Sequence, residues 1–73
     1  MEDKYFVFAA NQYGYDRILH EDLSLAEAER KAKKESAIAW RLWKTISHAH
    51  NNVFEVYPED SDPDVDEPVF SIK

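Results

Sequence analysis

Backbone punctuation in this chain is confined to two places. Its only glycine is Gly14, and its three prolines, Pro58, Pro63 and Pro68, all lie at or beyond position 58. From Tyr15 to Tyr57 there is neither. Glycine supplies positive φ where a chain must turn tightly, and proline breaks helices and central strands. The chain therefore divides into a short segment before one turn, a long uninterrupted middle and a proline-spaced tail.

The first segment, Lys4-Tyr5-Phe6-Val7-Phe8-Ala9-Ala10, is aromatic and β-branched, which suits a pleated sheet. Asn11-Gln12-Tyr13-Gly14 reads as a turn, and residues 15–20 as the returning strand of a hairpin. A capping box follows. Ser24 can accept from the Glu27 backbone N–H, and Glu27 can reach back to the Ser24 N–H. Leu23 and Ala28 take the positions of a hydrophobic staple. Leu25, Ala28, Ala32 and Ser36 then recur at helical spacing. Glu27 comes early and Lys33 and Lys34 come later, in the sense the helix dipole favours.

Where this helix stops is the hardest question the sequence poses. Residues 27–35 are mostly charged, whereas 37–43 hold one charge, Arg41. The second stretch also alternates, with Ile38, Trp40 and Leu42 on one side. The alternation favours a strand over about 37–46, with continued helix as the other choice. Residues 47–52 are then a turn, and 53–57 a strand with Phe54 and Val56 inward.

The tail from Pro58 to Pro68 carries six carboxylates. It reads as an extended, exposed acidic loop. Val69-Phe70-Ser71-Ile72 is apolar again and suits an edge strand docking back. The expected fold is α+β: a small antiparallel sheet in the order β-β-α-β-β, with a short fifth strand as an open addition, covered on one face by one helix. The single domain spans 1–73, with a folded core at 4–57. The expected core is Phe6, Phe8, Ile18, Leu25, Ala28, Ala32, Ile38, Trp40, Leu42, Phe54 and Val56. One helix covers only one face. The other would carry Tyr5, Val7, Arg17, Leu19, Arg41, Trp43, Glu55 and Tyr57, an apolar surface of the kind that marks an interface.

Charge and chemistry narrow the function classes. Fifteen acidic against nine basic residues give a formal charge of −6. That disfavours direct nucleic-acid binding, which needs a basic surface. There is no cysteine, hence no disulfide and no thiolate metal site. His48 and His50, with His20, form too weak a pattern for a metal site. The opening Asp60-x-Asp62-x-Asp64 resembles a calcium loop but has Val65 where glycine belongs and Ser71 where a bidentate glutamate belongs. No nucleophile stands in a recognisable pattern, so no catalysis, metal or cofactor is expected. The charged N-terminus carries no signal-peptide pattern, and no apolar run is long enough to cross a membrane. The expectation is a cytoplasmic protein.

The aromatic hairpin, then Asp22-Leu23-Ser24-Leu25-Ala26-Glu27-Ala28-Glu29-Arg30-Lys31-Ala32, then paired strands resembles small acidic phage-encoded inhibitors of host functions, anti-CRISPR proteins among them. The resemblance is one of architecture over about 4–57 and carries no functional residue across. It implies a compact protein that occupies a functional surface of a host protein, often in competition with nucleic acid. The expected partner is thus a host protein with a basic surface. Glu59, Asp60, Asp62, Asp64, Asp66 and Glu67 would steer the encounter, and Trp43, Tyr5 and Tyr57 would anchor it. A homodimer closed through the sheet is the alternative, and a nucleic-acid binder a more distant one.

Overall fold

The computed structural model describes residues 3–11, 16–43 and 52–73, with backbone alone at 42 and 43. Four strands and one helix follow in chain order: β1 (Tyr5–Asn11), β2 (Arg17–Leu23), α1 (Leu25–Trp43), β3 (Asn52–Pro58) and β4 (Phe70–Ile72). The sheet is antiparallel throughout, in the order β2-β1-β3-β4. The α+β sheet with a single helix is therefore present. Of the turns expected at 11–14 and 47–52, Asn11 ends β1 and Asn52 opens β3, and the remaining residues lie outside the described ones.

The capping box forms as its sequence dictates. Glu27 N–H donates to Ser24 Oγ and Ser24 N–H donates to Glu27 Oε1, each at 3.2 Å. The bond from the Ser24 backbone N–H, and after it one from the Ser24 hydroxyl, holds the Glu27 carboxyl below its usual range.

The strand expected over 37–46 is instead helix as far as Trp43, and 44–46 lie outside the described residues. The decisive period is 3.6. Ala28, Ala32, Ser36 and Ala39 form one buried stripe of small side chains along α1. The alternating Ile38 and Trp40 flank it and stay partly open, at 37% and 43% exposure. Both neighbours of β3 are already β1 and β4, so the sheet is completed by the tail and not by residues 37–46.

The small stripe lets α1 sit close to the sheet, and this reverses the expected facing of β1. Val7 and Ala9 face the helix, paired in register with Val56 and Phe54. Phe6 and Phe8 point to the far face. Phe54 and Val56 are inward as expected. β2 is also shifted. Its register passes from Tyr5↔Leu23 to Val7↔His20 to Phe8↔Ile18, gaining one residue at each step. Two bulges result, one of them around Asp22, whose φ of 58° is left-handed. Aspartate tolerates that region better than most residues. The bulges turn Leu19 and Leu23 onto the helix-side core and leave Ile18, expected in the core, 48% exposed. Tyr5 also packs on that core. Leu25 is 38% exposed. His20 Nε2 lies 2.9 Å from Glu35 Oε2, tying β2 to α1.

Candidate functional site

The acidic tail is not extended. Glu59 N–H donates to the Lys4 carbonyl, anchoring the tail's start beside β1. Val69 N–H donates to the Val56 carbonyl, anchoring its end as β4 begins. Between these anchors the chain winds into one helical turn. Asp66 N–H donates to the Asp62 carbonyl at 2.8 Å, and Val65 N–H donates to the same oxygen at 3.0 Å. Asp62 acts as the cap: its Oδ1 accepts from Asp64 N–H at 2.9 Å. Asp66 reaches back, its Oδ2 accepting from Asp62 N–H at 2.8 Å. Pro63 stands at the first helical position, where its missing N–H costs nothing. The sequence Asp-Pro-Asp-Val-Asp thus builds a reciprocally capped turn, and the even spacing of aspartates along an extended strand is lost.

All six carboxylates, Glu59, Asp60, Asp62, Asp64, Asp66 and Glu67, are exposed. Among the described residues no lysine or arginine closes to salt-bridge distance on any of them. Asp62 and Asp66 are engaged in the turn, which leaves Glu59, Asp60, Asp64 and Glu67 to present bare charge.

The turn lies beside the sheet face that α1 leaves uncovered. Tyr57 is at the centre of that face, stacked on Phe6 at 5.5 Å and edge-on to Phe8 at 6.1 Å. Its hydroxyl donates to Glu55 Oε1 at 3.0 Å. Burial, the Glu55 bond and the charges of Glu55, Asp66 and Asp64 push its phenol up to about 12. The side chain is only 2% exposed. Tyr57 was expected as a contact anchor on a solvated face; instead it is core, because the rings of Phe6 and Phe8 and the acidic tail close around it. Tyr5 packs towards the helix, and Trp43 lies in the last turn of α1. Tyr5 and Tyr57 therefore do not share one surface.

A cavity of about 320 Å³ opens between β2 and the tail. Phe6, Ile18 and Pro63 supply its apolar lining, with Tyr5 and Ser61 beside them. Glu21, Asp22 and Glu59 supply its carboxylates. Sequence reasoning named Glu59 alone of these three. Glu21 and Asp22 carried no local signal, because only the bulged end of β2 brings them to the tail. Among the described residues no three His, Asp or Glu side chains converge as a metal site would require. His48 and His50 lie outside the described residues. Among them, too, no helix is long and apolar enough to cross a membrane.

The outer surface of α1 has the opposite sign. Arg30, Lys31 and Lys34, with Glu27, line a shallow groove there, and Lys33 Nζ stands 5.7 Å above the Phe70 ring. The i,i+4 pairs Glu27–Lys31 and Glu29–Lys33 do not close to salt-bridge distance. No protein-family model matches the chain, and no curated protein or solved structure matches it.

Proposed function

We propose that the protein is a non-enzymatic binding module that docks its acidic turn on a basic, nucleic-acid-handling surface of a host protein and so inhibits or modulates it. One observation carries this reading: exposed, unneutralised carboxylates are held on a turn fastened at both ends and capped within itself. Presenting charge on a fixed frame lowers the ordering cost of binding. The arrangement favours fast, salt-sensitive encounter with a basic groove. Arg30, Lys31 and Lys34 of α1 line a separate groove with Glu27, and among the described residues no lysine or arginine closes to salt-bridge distance on the carboxylates of the turn.

The test isolates charge from fold. Asp60→Asn, Asp64→Asn and Glu67→Gln together remove three charges and spare the capping pair Asp62 and Asp66. The host protein retained by the wild-type chain should bind this variant at least about tenfold more weakly at low salt, with a flatter salt dependence. Duplex DNA should compete with the wild type for that partner. Affinity that is equal for both chains and indifferent to salt would overturn the reading.

A further inference from the structure

We infer that the cavity between β2 and the acidic turn is a socket for one arginine side chain of the partner. The inference rests on the docking reading above and deepens it, since it assigns a specific contact to a surface otherwise described only by its charge.

Three properties of the cavity lead there. Its volume of about 320 Å³ is at the lower end of ligand pockets and leaves ample room for one long side chain. Its lining is divided by chemistry. Phe6, Ile18 and Pro63 are apolar, and Ile18 is half open to solvent in the free protein. Glu21, Asp22 and Glu59 are exposed carboxylates from two separate segments, and among the described residues none is ion-paired. An amphipathic cation fits both parts at once, its methylene stem on the apolar lining and its charged head on the acids.

Arginine fits better than lysine for a physical reason. Its guanidinium is flat, weakly hydrated and carries a fork of donors that can meet two carboxylates together. A lysine ammonium is strongly hydrated and loses more hydration on entering a half-apolar site. A bare metal ion is a poor occupant, because the acids do not converge on one point. The rim is also built. Asp22 holds a left-handed backbone within a β-bulge, and Glu59 is fixed by its N–H on the Lys4 carbonyl.

The full chain titrated with Nα-acetyl-arginine amide and followed by amide-resolved NMR tests this directly. Saturable shifts are expected at Ile18, Glu21, Asp22, Glu59 and Ser61. The neutral citrulline analogue should give none, and the lysine analogue should bind more weakly. Asp22→Asn with Glu59→Gln should weaken arginine binding about tenfold. Asparagine keeps the left-handed backbone accessible, and Glu21→Gln serves as a second variant if that pair misfolds. The Asp60→Asn, Asp64→Asn, Glu67→Gln chain should keep the socket. Shifts that never saturate and spread over residues 59–67, or an equal response to lysine, would overturn the socket. If the partner's affinity is salt-sensitive but no saturable site appears, the socket fails and the docking reading stands. If arginine fills the socket while the partner is indifferent to salt, the reverse holds.

Discussion

The two faces of this sheet are closed in different ways. One is covered by α1 through alanines and a serine, which lets backbone approach backbone and buries Val7, Ala9, Phe54 and Val56. Among the described residues the other has no helix. Its aromatics pack on one another around Tyr57, and a capped acidic turn lies alongside. The first face is closed by regular secondary structure with small side chains, the second by large side chains and side-chain capping. A close-packed face has little tolerance for change in volume. The second face leaves a cavity at its margin, and function has room there.

The sharpest way to break this contrast is Phe54→Ala. It removes a ring that is 4% exposed at the centre of the helix-side core, and the cost should be about 3–5 kcal/mol. Denaturant unfolding would read it, and a 73-residue domain has little stability to spare. Next comes Ala32→Leu. Ala32 is fully buried under the helix, so the larger side chain should cost about 1–3 kcal/mol by pushing α1 off the sheet. On the far face, Phe8→Leu at a partly buried ring should cost less than Phe54→Ala, and equal losses would erase the distinction between the faces.

On the second face, Tyr57→Phe should cost about 1 kcal/mol through the lost bond to Glu55. It also carries a pH signature. The Tyr57 phenol sits near 12 in the fold against 10.0 for an ordinary tyrosine, so the folded state holds its proton where the unfolded chain has lost it. That contribution is fully present below pH 10 and is lost as pH rises towards 12. A stability profile without this alkaline decline in wild type, or with the same decline in the phenylalanine variant, would count against it. The smallest effects belong to the tail. Asp62→Ala removes the cap and should cost about 0.5–2 kcal/mol, whereas substitutions at Val65, 78% exposed, should stay within about 0.5 kcal/mol.

Local chemistry in the sequence was legible where a few neighbouring residues suffice. Ser24 and Glu27 cap α1 as their spacing requires, and the run from Phe70 to Ile72 docks as an edge strand. The inward facing of Phe54 and Val56 also follows from simple alternation. Reading failed where two periods competed. Residues 37–43 satisfy both a period of 2 and a continued stripe from Ala28 to Ala39, and only burial against the sheet selects the second. Tyr57 was misplaced for a related reason. A ring on the face without a helix looks exposed until the tail is seen to return beside it.

The candidate site divides along the same line. Its charge was plain from residues 59–67, which hold the excess of acid, since the first 58 residues carry nine acidic and eight basic groups. The form of that charge was not. An Asp-Pro-Asp-Val-Asp run serves equally as an extended string or a capped turn, and the turn forms here between two anchors, Glu59 on Lys4 and Val69 on Val56.

The sequence by itself determined the elements whose hydrogen bonds close within a few residues, the sign of the surface charge and the absence of thiol chemistry. The tertiary structure decided which side of β1 meets the helix, how far α1 runs, and that Glu21, Asp22 and Glu59 share a cavity. These depend on contacts between residues distant along the chain. Such contacts are set by the volume available between packed layers and by the register of β2 after its bulges, neither of which any single segment encodes.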